Sequence, residues 1–373
     1  MSWPKPNITN IVRPPVQLNR GRWGLFITAL AIISSFILAK AWPNDSYASQ
    51  WTYWVGVAFF PTLIGGSAFS IRLYLYGLAQ EKYDIWQDEQ KKVEQNWQKW
   101  AMKSLLVLDS AYVIPDEITA SSILENGSNL HSKINKSLKF KDKSELTSAF
   151  DNIFCSMSDA ISILPSKANI NISLYMPIDS YENIDREIAR AYRNSGIKHD
   201  YNLNYMIDTV PNIEKIAEWI DSPQPMIELI IINNTQSSAS EFLAAFLLVN
   251  NAQYQDLEIK KAKAQILRPM IDEELPIAIK QMVEMQPAIK QVNHLWFVNL
   301  DNKQETEINK QLVNQSVEPE QLYGLEKFVG KQTELSYWLA LAMSSEMINK
   351  TKRNNLIATR NQNQWLFSVV TLA

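Results

Sequence analysis

Two uncharged stretches near the amino terminus limit what this chain can fold into. Residues 23–42 read WGLFITALAIISSFILAKAW, uncharged from Gly24 to Ala39, and residues 51–71 read WTYWVGVAFFPTLIGGSAFSI with no charge at all. Each approaches the ~20 residues a helix needs to cross about 30 Å of hydrocarbon. Trp23, Trp42, Trp51 and Trp54 stand at the ends, where amphipathic rings favour the headgroup region. Pro61 and the pair Gly65-Gly66 are tolerable in a membrane helix, and small residues let helices approach closely. The expectation is a transmembrane hairpin.

Charge sets its direction. The leader 1–22 carries Lys5, Arg13, Arg20 and Arg22 and no acid, so it should stay inside, and the connection 43–50, with only Asp45, should face outside. The rest of the chain should then lie in the cytoplasm, beneath a bacterial inner membrane. A cleaved signal peptide is the competing reading, since Ala39-Lys40-Ala41 has the small-x-small form and would leave Trp42 at the new amino terminus.

Residues 80–373 hold 30 of the 36 basic residues and 38 of the 39 acids. That acidic balance argues against nucleic acid as a partner, which needs clustered Lys and Arg to displace counterions. Residues 80–102 are polar but patterned: Tyr83, Trp86, Val93, Trp97 and Trp100 fall on one face of a helix. Trp86, Trp97 and Trp100 are the candidate partner-binding residues, against the plainer reading that the stripe packs on the chain's own domain. Four segments are expected: a leader over 1–22, a hairpin over 23–79, a juxtamembrane helix over 80–102 and an α/β domain over 103–373.

Within that domain, strands are expected at 104–109, 171–175, 227–232, 264–267, 294–300 and 365–371. Helices are expected at 145–164, 184–194, 238–250, 275–285 and 334–349. Continuous apolar strands between helices indicate a largely parallel sheet covered on both faces. Ser238-x-x-Glu241 reads as a capping box opening the helix EFLAAFLLV, with Ser237 and Ser238 as caps rather than nucleophiles. The Ser/Asn-rich stretch 121–135 reads as a surface loop.

Chemistry is hard to find. His131, His199 and His294 are far apart in sequence, and the single cysteine, Cys155, excludes both an intramolecular disulfide and a cysteine-rich zinc cluster. Cys155 falls in a helical pattern with Ile153, Phe154, Met157, Ile161 and Ile163 and reads as a small buried hydrophobe. His294 reads as a surface or satisfied residue at a strand start. Asp272-Glu273-Glu274 reads as a solvated helix start. No catalytic, cofactor-binding or metal-binding residue is assigned.

The segments EFLAAFLLVNN, AQILRPM, VNHLWFVNL and GLEKFVGKQTELSYWLALAMSSEM, with the anchor, the Trp-rich helix and LLVLDSAYVIP, resemble accessory proteins of type VI secretion clusters. In particular they are similar to the membrane-associated lipase-adaptor family, which hands a phospholipase effector to the spike. The resemblance implies a thiolase-like soluble domain of two related α/β halves, taken as 104–210 and 211–373. A working thiolase or ketosynthase needs a nucleophilic cysteine at a sharp turn with histidine partners. Gly330-Lys331-Gln332 offers no histidine, and Cys155 does not sit in a small-residue elbow. The expectation is therefore an adaptor or chaperone that is not an enzyme and has no cofactor. It would touch membrane lipid and bind a secreted effector or spike component. The alternative is an immunity protein that retains or blocks a toxin at the membrane.

Overall fold

The computed structural model describes residue 3 and residues 12–41, 50–116, 118–127, 129–165, 168–177, 184–207, 213–224, 226–235, 238–256 and 262–373. Trp42, Asp45, Val210, Pro211, Ser237 and most of the expected external connection lie outside the described residues. Two compact units are separated: one holds the first two helices up to Asn96, the other Trp97–Ala373 together with Trp3.

The first unit is a helical hairpin. Helix α1 (Arg20–Ala41) has 22 residues and α2 (Gln50–Ala101) has 52. Both are long and apolar enough to cross a membrane. They pack antiparallel through their small residues: a Cβ built on Gly65 would lie 3.0 Å from Cγ1 of Ile27, and one on Gly56 3.4 Å from Leu38. Trp23 meets Phe69 edge-on at 5.3 Å, and the Tyr53 hydroxyl donates to the Ser35 carbonyl at 3.2 Å. Close approach at glycine is what membrane helices use in place of a hydrophobic drive. The expected juxtamembrane segment is not a separate element, because α2 runs through it unbroken; Pro61 is accommodated inside the helix.

The second unit is a duplication. Its first half runs β1 (Ser104–Val113), α3 (Ala120–Asn126), α4 (Lys143–Ser162), β2 (Ile170–Met176), α5 (Ile184–Asn194), β3 (Tyr201–Ile207), α6 (Glu214–Asp221), β4 (Ile227–Asn234) and β5 (Phe242–Val249), with α7 (Asn251–Asp256) following. The second half runs β6 (Ala264–Leu267), β7 (Met270–Asp272), α8 (Leu275–Met285), β8 (Val292–Val298), α9 (Asn302–Asn314), β9 (Gln321–Gly324), α10 (Leu325–Val329), α11 (Ser336–Thr351), β10 (Asn354–Asn361) and β11 (Gln364–Thr371). The strand order is β3-β2-β4-β5-β1 in one half and β9-β8-β10-β11-β6 in the other, joined where β1 pairs β6. In each half the three strands farthest from the junction are parallel, and the next returns antiparallel as a hairpin. The sheet is thus mixed rather than largely parallel, and the halves divide after β5, not at residue 210.

Three apolar cores separate five layers. Helices α4 and α5 cover the outer face of the first half, and α8 and α9 that of the second. Between the halves lie α3, α6 and α11, packed on side chains from both sheets. α11 is buried nearly all round, as a helix between two sheets must be. Phe246 meets Trp338 at 5.8 Å on one side, and the Tyr337 hydroxyl shares a 2.6 Å hydrogen bond with Ser368 on the other.

Three sequence expectations are corrected. The EFLAAFLLV segment is not a helix. Phe242–Val249 is a strand buried along its whole length, pairing antiparallel with β4 and β1, so Ser238 caps no helix. A continuous apolar run of this length suits a fully buried strand as well as a helix. The expected surface loop 121–135 starts inside a helix: α3 opens just before it, at a capping box in which Thr119 and Ser122 satisfy each other's backbone N–H. Asp272 is buried in β7, and its carboxylate accepts from the Glu274 backbone at 2.8 Å rather than facing solvent.

Candidate functional site

The helices that precede the closing hairpin of each half, α6 and α11, begin at a common cleft of 310 Å³. Ile213 and Glu214 open α6; Glu334 and Tyr337 stand at the start of α11; Asn299 follows β8, and Thr359, Arg360 and Asn361 end β10. This is the position at which open α/β sheets gather ligands: the carboxyl ends of strands, facing helix starts. The Arg360 guanidinium is held 4.7 Å over the Trp365 ring, and its buried Nε has no protein partner. The cleft therefore presents two carboxylates, one guanidinium and amides.

Neither cysteine nor histidine lines it. Cys155 lies on α4 in the outer layer and is exposed, correcting its reading as a buried hydrophobe; Ile153, Phe154, Met157 and Ile161 are the buried positions, while Ile163 is exposed. His131 is exposed in the segment after α3, and His199 contacts the Leu164 and Pro165 carbonyls at 3.1 and 3.2 Å. Among the described residues no cluster of three or more His, Cys, Asp or Glu could hold a metal.

A second cleft, of 720 Å³, opens at the amino-terminal start of β8. His294 lines it and is only 4% exposed, yet neither ring nitrogen meets a protein hydrogen-bonding group. It is neither a surface nor a satisfied residue. Burial, and then the nearby Arg353 charge, pushes its imidazole below the usual histidine range, with Glu320 opposing. Period-two alternation in VNHLWFV places His294 on the same side of the strand as Trp296, and that was the sequence signal for its burial.

Between α3 and α11 lies a closed polar cluster. Glu346 accepts from Tyr112 at 2.5 Å and from Ser121 at 2.6 Å, and Lys350 lies 3.4 Å away. Burial works against the charge of Glu346, but the two hydroxyls and the ammonium outweigh it and hold its carboxyl below the usual range. Tyr112 is pushed well above the ordinary phenol range, by burial first and then by the Glu346 charge. The cluster ties β1 to the central helices.

Of the tryptophans singled out from sequence, Trp97 and Trp100 pack edge-on at 4.9 Å against the core beneath α8. Trp86 is half-buried on the upstream part of α2.

Comparison with solved structures fits the duplicated, layered arrangement. A structure of a type II polyketide ketosynthase in complex with its acyl-carrier protein matches with a TM-score of 0.50, covering 73% of this chain and 99% of that one at 12% identity. The fold is thiolase-like. The OleA protein of Xanthomonas campestris (TM-score 0.46, 9% identity, 72% of this chain and 99% of that one) also aligns. So does 3-oxoacyl-(acyl carrier protein) synthase III of Xanthomonas oryzae (0.47, 9%, 72% and 99%). No family model matches the chain, and no curated protein matches it either. The ketosynthase match shares this fold and is an enzyme, so the expectation that the protein is not an enzyme does not stand.

Proposed function

We propose that this chain is a membrane-anchored adaptor whose thiolase-like domain holds a protein cargo, a lipase effector destined for the spike of a type VI secretion system. The observation that carries the reading is the single helix α2. It starts as an uncharged, membrane-length stretch and ends with Ala101 fully buried in the domain. A domain that follows a membrane-length stretch in the same chain is suited to act at the bilayer. The segments quoted above for their likeness to lipase adaptors support the finer statement. The cationic leader supports a cytoplasmic placement beneath the inner membrane. Trp86 is the side chain of the aromatic stripe proposed to face a partner. The test is affinity purification of the tagged full chain from cells expressing its neighbouring genes. Recovery of an effector or spike protein is the expected result; recovery of neither sinks the adaptor reading. If sibling cells kill a deletion strain, the immunity reading replaces it.

A second reading is favoured by one observation, the convergence of Glu214, Glu334 and Arg360 on the central cleft. Two carboxylates beside a guanidinium can serve proton transfer. Under this reading Glu214→Gln and Glu334→Gln each abolish a turnover measured on acyl thioester or ester substrates. Unchanged turnover in both variants removes it.

A further inference from the structure

The packing of the hairpin brings two arginines to one level. Ile27 of α1 meets Gly65 of α2, and one turn nearer the leader Trp23 meets Phe69. Three residues further along both helices, the same register sets Arg20 level with Arg72, each on the side that faces the other helix. Both are exposed. No Asp or Glu precedes Asp45, at the far end of the hairpin, and none follows it before Glu81, about 13 Å of helix beyond Arg72. That exceeds the ~10 Å over which charges act at ordinary ionic strength, so the hairpin holds no counter-charge for the pair. The start of α1 is itself capped, since the Arg22 N–H donates to Asn19 Oδ1 at 3.2 Å, so the unmatched charge is on the guanidiniums.

We infer that Arg20 and Arg72 together bind the phosphodiester of an acidic phospholipid in the leaflet nearest the leader, which rests on the reading of the hairpin as a membrane anchor. Depth selects the partner. The uncharged core of α1 begins at Gly24 and the uncharged run of α2 ends at Ile71, so both guanidiniums lie where apolar helix gives way to headgroups. Trp23, within one turn of Arg20, is the side chain that favours that level. A phosphate held there comes with acyl chains, which the apolar stretches of both helices accept. Two facing guanidiniums repel, and a phosphodiester between them removes the repulsion and accepts hydrogen bonds from both. Zwitterionic headgroups carry the same phosphate, but their own ammonium competes for it. The pair therefore favours lipids of net negative charge.

The test incubates the full chain in detergent with equal amounts of phosphatidylglycerol and phosphatidylcholine of matched acyl chains, repurifies it and quantifies the retained lipid by mass spectrometry. One cation at a lipid surface is worth about fivefold in binding, so the wild type retains phosphatidylglycerol at least about tenfold over phosphatidylcholine. Arg20→Gln and Arg72→Gln each lower that ratio about fivefold. Arg22→Gln removes the same charge at nearly the same depth, but from the opposite side of α1, and leaves the ratio within about twofold. Excess inorganic phosphate displaces none of the lipid. Equal retention of the two lipids, no effect of Arg20→Gln and Arg72→Gln, an equal drop with Arg22→Gln, or displacement by inorganic phosphate would each overturn the assignment. A chain that holds neither lipid and stays soluble once detergent is removed overturns the anchor reading along with the site, so the two failures are distinct. All three substitutions fall at exposed positions, and Arg22→Gln serves as the control for folding.

Discussion

Arg268 donates to both carboxylate oxygens of Asp221, at 2.9 and 2.5 Å, while its guanidinium lies 4.0 Å over the Trp100 ring. One buried side chain thus ties the last turn of α2 to the last residue of α6, whose other end opens the central cleft. Losing a buried charge partner costs about 3–5 kcal/mol, but Asp221 is 44% exposed, so Arg268→Met should cost about 2 kcal/mol. Burial tends to raise the Asp221 carboxyl, yet Arg268, and then Lys103, outweigh it and hold it below the usual range. A depressed acid adds stability above its unfolded value, about 3.9, and loses it as pH falls through the folded one. The gap in melting temperature between wild type and Arg268→Met should therefore hold from pH 7 to about 5 and close below about 4.

Gly330 has φ of +78°, and a Cβ there would sit 2.2 Å from the Lys136 carbonyl oxygen. Strain and collision act together, because its neighbour Lys331 also donates to that oxygen. Gly330→Ala should lower stability by at least about 2 kcal/mol. Chemical denaturation of the two proteins side by side checks this; equal midpoints would mean the strand-like bridge to Ser137 is not formed.

The helical hairpin can be tested by chemistry. A Cβ on Gly65 would lie 3.9 Å from that of Ile27, inside the ~3.5–4.5 Å a disulfide spans. Ile27→Cys with Gly65→Cys, in a Cys155→Ser background, should oxidise to a form whose mobility changes on reduction, while moving the first cysteine to Phe26 should not. Equal oxidation of both pairs would contradict the packing.

Cys155 should react with a hydrophilic maleimide within minutes in the folded, detergent-solubilised protein, since it is exposed. Cys155→Ser should change stability by no more than about 0.5 kcal/mol. A thiol that reacts only after denaturation would restore its reading as a core residue.

Local pattern carried much of the architecture. Helices α5 and α8 and strand β6 fall where periodicity puts them, because each has one apolar face or a short run between turn signals. Strand β5 was misread because FLAAFLLV is apolar at every position, and only its pairing with β4 and β1 decides between helix and strand. Strands β3 and β10 were missed because Asn202, Asn204, Asn354 and Asn355 dilute their β-character; tertiary pairing overrides that weak preference. The duplication enters the sequence reading only through the family resemblance, and its boundary is misplaced because the halves share strand order and not residues. His294 was discounted as a lone histidine; its burial comes from neighbours distant in sequence, Tyr323 among them.

The third residue of the chain has a consequence for counting. Trp3 is 7% exposed, its indole N–H donates to the Pro269 carbonyl at 3.1 Å, and its ring meets Trp100 edge-on at 5.8 Å. A residue upstream of both long helices is therefore seated on the domain downstream of them. Any bilayer threaded by the intervening chain must be crossed an even number of times, so removing or adding one span by mutation must either unseat Trp3 or fail. Parity, a property of the whole thread, is here written into the socket of one side chain.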